Sequence, residues 1–360
     1  MFSPLVVDAH EDIAWNVLTF GRNYTHSAVE TRSLEAASST PQFNGDTLLG
    51  WPDYQRGRVA VVFGSLFAAP ARKRHADWET QCYADADQAH QLYRAQMSAY
   101  RDLVEKHGDK FHLLRRAADL EVLLGLWDSA QQDHPVGLLI LMEGAEAVRK
   151  PDELSDWWDW GVRVISPAWA GTRFCGGTGE PGPLTAEGEV LLGGMAEHGF
   201  ILDLSHMDET AARQALDLYQ GPVIATHANA AALLPGYSGN RHLGDELIVA
   251  LAGRSGIIGV VPFCRFLSAG WKIEDGRNHI TMEVYANHVD HICQLTGCSD
   301  HAGIGSDFDG GFGLDSVPAE IDTVADLLGL QHILFRRGYN EKDVSNILGG
   351  NWLRLLKNHL

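Results

Sequence analysis

The chain has 360 residues, is 45% hydrophobic and carries a formal net charge of −19. This length suits one large domain or two average ones. So acidic a surface repels nucleic acid and anionic membranes, which excludes both as expected partners, and no apolar run approaches the ~18 residues that suggest a membrane span. The five cysteines show no C-x-x-C spacing, which argues against a disulfide framework or a cysteine zinc site and, with no signal segment standing out, predicts a reducing, cytoplasmic setting.

A first strand covers residues 5–9 and leads into His10 and Asp12. Residues 21–57 are rich in Ser, Thr, Asn and Gly and lack periodicity, so a long loop over the site is expected there. Residues 58–68 read as a second strand. Ala89, Leu92, Tyr93, Met97, Tyr100, Leu103 and Val104 recur at three- and four-residue spacing, which predicts a helix over 82–107 whose stripe is core. Another helix covers 116–130. A third strand ends at Glu143 and a fourth spans 161–166. The Gly-rich stretch 171–182 lacks Walker spacing and a lysine, so it reads as a loop of the mouth and not as a phosphate loop.

A helix over 185–198 leads to a strand ending at His206, and one over 208–218 leads to a strand ending at His227. Residues 242–253 read as helix and 256–261 as the seventh strand. A helix over 281–296 precedes the eighth strand at 302–305, and two or three helices occupy 319–357. This alternation predicts a parallel sheet covered by helices. Eight strands favour a closed (β/α)8 TIM barrel with extra loops and C-terminal helices. With neither linker nor internal repeat, residues 1–360 read as one domain.

In such a barrel the C-terminal strand ends converge on one mouth, where the chemistry sits. That would bring together His10, Asp12, Glu143, His206, His227 and Asp307. Singly, each has a plain structural explanation. H-x-D pairs are common, a buried glutamate often pairs with arginine, and a lone histidine after an apolar run is usually a hydrogen-bonded core residue. Together they point to metal. His10 and Asp12, at i and i+2, share a strand face, with Asp8 on the same parity as a supporting partner. Histidine nitrogen with carboxylate oxygen suits Zn²⁺, and a carboxylate such as Glu143 can bridge two cations. Two metals roughly 3.5–4 Å apart would share a water or hydroxide. Asp307 is the preferred proton acceptor for that water; Asp309, two residues on, is expected in a loop, binding backbone. His288 and His291 also have ligand-like i, i+3 spacing, but their helix covers the outside of the barrel, so packing or solvent exposure is the expectation.

These segments resemble the membrane (renal) dipeptidase family of the amidohydrolase superfamily. The carriers are Asp8 to Asp12, Met142-Glu143-Gly144, Asp203 to His206, Thr226-His227-Ala228, and the stretch from His288 through Gly303 to Gly310. The resemblance implies a binuclear zinc barrel, with two Zn²⁺, that hydrolyses dipeptides, including those with a D-residue at the C-terminal position. It implies that His10 and Asp12 bind one metal, His206 and His227 the other, and that Glu143 bridges them. It further implies that Asp307 handles the proton, that Arg241 grips the substrate carboxylate, and that the enzyme is a homodimer. One position departs from the pattern. Trp169 stands where the family has a histidine that stabilises the oxyanion, a donor whose loss typically costs about 2.7–4 kcal/mol. Either Trp169 donates, or Arg173 reaches into the site in its place, or the substrate is a different amide, ester or lactone. A catalytically weak binding protein that keeps its metals for stability is the remaining alternative, and the complete ligand set argues against it.

Overall fold

The computed structural model describes residues 2–360. Eight parallel strands lie side by side in the order of the chain: β1 (Val6–Glu11), β2 (Val59–Phe67), β3 (Val136–Glu143), β4 (Val162–Ser166), β5 (Ile201–Asp203), β6 (Val223–Ile224), β7 (Ile258–Val260) and β8 (Ala302–Ile304). β8 returns to pair with β1, Asp8 opposite Ile304. Between β6 and β7 the seam closes through a parallel bridge of Ala225 with Ile258, with Gly259 N donating to Ala225 O at 2.8 Å. The expected (β/α)8 barrel is therefore the fold. All eight strands are buried along nearly their whole length. That explains their near-continuous apolar runs, since a parallel sheet is covered on both faces.

Alternation along each strand divides the core. Leu139 and Leu141 share the face of Glu143. They cluster with Phe63, Val164, Ile201 and Ile224, and with Trp352 of the C-terminal helix Asn351–His359. Their neighbours of opposite parity, Leu138, Ile140 and Met142, join the layer shared with the surrounding helices. The amphipathic helix Ala86–Lys106 buries Ala89, Tyr93, Met97 and Tyr100, as its spacing predicts. The helices Ala117–Trp127, Ala186–His198, Glu209–Leu218, Asp245–Gly253 and Met282–Thr296 also stand where they are expected. No helix among the described residues is long and apolar enough to cross a membrane.

Two local expectations are corrected. Residues 21–57 are not one loop but hold three short helices, Ala28–Glu35, Thr40–Asn44 and Trp51–Gly57. At five to eight residues they are too short to show a period, and their start signals are local: Ser27 accepts from Glu30 N, while Pro41 and Pro52 occupy first-turn positions. The Gly-rich stretch forms a hairpin, Cys175–Gly177 with Glu180–Leu184. Asp309 does bind backbone, accepting from Leu48 N at 3.1 Å. It also takes Tyr24 Oη at 2.8 Å and Thr47 Oγ1 at 2.6 Å, and pairs with Arg22 at 3.0 Å. This buried knot ties the three-helix segment to the loop that follows β8.

Candidate metal centre and substrate cavity

Glu143, the last residue of β3, lies at the centre of the mouth. Its Oε2 faces His10 Nε2 at 3.5 Å, while its Oε1 faces His206 Nε2 at 3.0 Å and His227 Nε2 at 3.4 Å. On the near side His10 Nε2 also lies 3.6 Å from Asp12 Oδ2 and 3.8 Å from Asp307 Oδ1. Six side chains from strand ends spread over the whole chain thus converge, and three overlapping groups of them offer ligand atoms within 4.8 Å of one another. Two are aimed by backbone that L-residues seldom adopt: His206 has φ 68° and Asp307 φ 60°. Such conformations cost of order 1–3 kcal/mol each and persist where the surroundings fix them.

The donor atoms are arranged for cations. Both nitrogens of the fully buried His10 lack a hydrogen-bond partner. Nε2 of His206 and Nε2 of His227 face each other at 2.9 Å. The Thr226 hydroxyl donates to Asp203 Oδ2, which turns its lone pair to His227 Nδ1 at 2.8 Å. Thr178 Oγ1 takes the same part at His206 Nδ1, 2.9 Å away. Each ring then carries its proton on Nδ1 and presents an Nε2 lone pair to the mouth, the usual outer support of a metal-binding histidine. Ser65 donates to Asp12. Gly310 keeps the space clear: a Cβ there would lie 2.6 Å from Asp12 Oδ2 and 2.5 Å from Asp307 Oδ1.

Electrostatics agree. Burial lowers His206 to about 4, and with the help of the neighbouring His10 it takes His227 well below the ordinary imidazole range, so both rings are neutral donors. Burial also disfavours a charge on His10, yet Glu143 and Asp12 overrule it and hold His10 protonated well above its usual range. Burial opposes ionisation of Glu143, but His10 keeps it well below the carboxylate norm. Asp12 and Asp307 are pushed up, chiefly by burial. Buried carboxylates are costly unless paired. Here a proton on His10 supplies the compensation that divalent cations would supply better, so the residues present fit a metal centre.

The centre opens into a cavity of about 620 Å³ whose walls include Asp12, Glu143, His206, Asp307, Trp169 and Arg241. Arg241 is buried. Its Nη2 donates to His227 O at 2.7 Å, while Nε and Nη1 have no partner. Trp169 stands 6.2 Å from His206, ring centre to ring centre, and 5.0 Å from Phe67. Arg173 is the exception. Its Nη1 pairs with Glu146 at 2.6 Å and its Nε with Glu187 at 3.2 Å, and Nη2 donates to Val148 O. These partners hold its guanidinium outside the cavity, so the expectation that it reaches into the site is not met. The sequence reading also missed Ser65, Thr178 and the Thr226–Asp203 relay. Asp203 lies three residues before His206 and Thr226 directly before His227 in the chain, so their proximity to the two histidines is legible there. Ser65 and Thr178 carry no sequence signal.

A family model described as membrane dipeptidase (peptidase family M19) matches residues 2–359. An uncharacterised protein of the pqqA 5′ region of Klebsiella pneumoniae is 31% identical over 73% of this chain and 94% of its own length. The dipeptidase ataJ of Aspergillus terreus is 29% identical over 91% of this chain and 81% of its own. Among solved structures, a metallopeptidase from Rhodobacter sphaeroides, liganded with a phosphinate mimic of L-Ala-D-Ala, superposes with a TM-score of 0.79 at 25% identity, covering 99% of this chain and 100% of that one.

Proposed function

The chain belongs to the membrane dipeptidase family and is a metal-dependent dipeptidase; from that premise we propose a cytoplasmic enzyme with two Zn²⁺ that cleaves dipeptides, including L-Xaa-D-Xaa. The observation that carries the two-metal reading is Glu143, whose two oxygens face two different sets of imidazoles. His10 and Asp12 would hold one ion, His206 and His227 the other, with Glu143 between them. The five free cysteines support the reducing compartment. The phosphinate dipeptide mimic bound by the Rhodobacter relative supports the stereochemical breadth.

Bound there, zinc supplies Lewis acidity and makes a water nucleophile available near neutral pH. The chain's own residues do the rest. Arg241, a buried cation in the cavity wall whose Nε and Nη1 have no protein partner, would hold the substrate carboxylate by charge-assisted hydrogen bonding. That fixes one end of the substrate and limits its length on that side. Asp307 Oδ1, in the cavity wall beside His10, takes a proton from the attacking water and delivers it to the leaving amine. Trp169 lines the cavity next to His206 and would offer its indole N–H to the oxyanion. If it cannot, a non-peptide amide, ester or lactone becomes the better substrate.

The test is a panel of L-Xaa-L-Xaa and L-Xaa-D-Xaa dipeptides with zinc-loaded protein, with metal content measured and Asp307→Asn as the blank. Cleavage abolished in the blank at two metals per chain is expected. Absence of cleavage by protein holding two metals would transfer the assignment to the non-peptide substrates.

A further inference from the structure

Around the barrel, β2 stands opposite β6 and β1 opposite β5. Arg241 rises from the segment after β6. A dipeptide with its carboxylate on Arg241 and its amide over Glu143 therefore extends its amino-terminal residue toward the segments that follow β1 and β2. Those segments supply an aromatic wall to the cavity: Trp15, Phe43, Phe67 and Trp78. Phe43 lies flat on Trp78, centroids 4.8 Å apart at 7°, and Phe20 stacks on Trp78 at 5.8 Å and 26°. Trp15 stands perpendicular to Trp78 at 6.3 Å and is itself almost wholly buried. Trp78 thus packs against three other rings of this region. In the same wall the buried Glu79 carboxylate accepts from His75 N at 2.8 Å.

We propose that this wall is the pocket for the side chain of the amino-terminal residue and makes the enzyme select dipeptides that begin with a large apolar or aromatic residue. The inference rests on the dipeptidase reading above. Flat rings take up an aromatic or branched apolar side chain by offset stacking and by loss of water from both faces. Glu79, with Lys73 in the same lining, leaves the wall without a net positive charge to offset the water an acidic side chain would lose among the rings. A second aromatic pair, Phe263 on Phe312 at 4.2 Å, stands on the β7–β8 side and does not face this pocket across the mouth.

The experiment measures kcat/KM of the zinc-loaded enzyme for L-Xaa-L-Ala with Xaa Gly, Ala, Leu, Phe, Trp and Asp, and for the reversed series L-Ala-L-Xaa. Phe-Ala and Leu-Ala are expected to exceed Ala-Ala by about tenfold or more, the scale on which an apolar pocket separates side chains. Asp-Ala should fall below Ala-Ala. In Trp78→Ala and Phe43→Ala the ratio of Phe-Ala to Ala-Ala should drop toward one, while the ratio of Ala-Phe to Ala-Ala holds. Trp78→Leu keeps an apolar filler without the stack, and serves if Trp78→Ala does not fold; it should lose the preference for Phe over Leu. A flat profile in a wild-type enzyme that cleaves dipeptides well overturns the pocket and leaves the dipeptidase reading standing. So does an equal loss on every substrate in folded variants. No cleavage of any dipeptide would remove both.

Discussion

The protein holds two pairs of histidines that each invite a metal reading in the sequence and behave oppositely in the fold. His288 and His291 lie one helical turn apart on Met282–Thr296, a spacing that can bind metal. Their rings turn to different partners: His288 Nδ1 accepts from Ala230 N at 3.3 Å, and His291 Nε2 meets Asp245 at 2.8 Å. His206 and His227 are 21 residues apart, yet their Nε2 atoms meet at 2.9 Å. The difference is where the backbone ends. Strands of a barrel deliver their last side chains to one small mouth, whereas a covering helix spends its faces on packing. In this chain, convergence at strand ends gathers a candidate metal site, and close spacing on a helix does not.

The comparison breaks first at Glu143. Glu143→Gln removes the charge between the two imidazole sets and leaves His10 buried beside a weaker partner. Bound metal should fall below two per chain, and activity should drop by on the order of 10³-fold or more as metal-assisted catalysis is lost. A variant that keeps both metals and its rate would show that Glu143 does not bridge. Chelation acts on the same centre without a mutation. At free metal a thousandfold above Kd, binding adds about 4 kcal/mol of stability, so a chelator should lower the thermal midpoint clearly, and an unmoved midpoint would place the metals elsewhere. Asp307→Asn is the next largest effect. It should keep both metals and cost about 10²–10⁴ in kcat, the usual worth of a positioned proton carrier. Metal loss in this variant would make Asp307 a ligand.

What the sequence discloses follows the same division. His10, Glu143, His206 and His227 stand out because each ends an apolar run; each alone has an ordinary structural explanation, and it is their recurrence at strand ends that points to one site. The barrel is legible for the same reason, since strands buried on both faces cannot hide their composition. The helices between residues 28 and 57 are not legible. They are shorter than two or three turns and are held by the Arg22–Asp309 knot rather than by an amphipathic stripe. Ser65 and Thr178 are invisible because hydroxyls occur everywhere and only geometry gives these two a task. The aromatic wall is invisible because its rings come from separate segments and meet only in space.

Arg173 sharpens the point from the other side. Its place after β4 suggested a reach into the mouth, but Glu146, Glu187 and the Val148 carbonyl claim it. Arg173→Ala should leave kcat/KM within about twofold, and its cost should fall on stability. Charge-assisted hydrogen bonds of this kind are worth about 1.5–3 kcal/mol where buried. The Arg173 side chain is 22% exposed and its Glu187 partner 67%, so solvent screening places the loss nearer 1 kcal/mol. A tenfold loss of kcat/KM at unchanged thermal midpoint would return Arg173 to the site.

The smallest effect belongs to the histidine pair on the helix. His291 is 23% exposed and its partner Asp245 44%, so the contact sits in water and salt, where such pairs are worth about 0–1 kcal/mol. His291→Ala should therefore leave metal content at the wild-type value and shift stability by less than about 1 kcal/mol, read by calorimetry and by metal analysis of the same sample. The contrast with His206→Ala carries the argument. That substitution removes one of the two Nε2 donors facing Glu143 Oε1, and metal content should fall although the chain remains folded. Were His291→Ala to lose metal and His206→Ala to keep it, the helix would hold the site, and convergence at strand ends would be a coincidence of the fold.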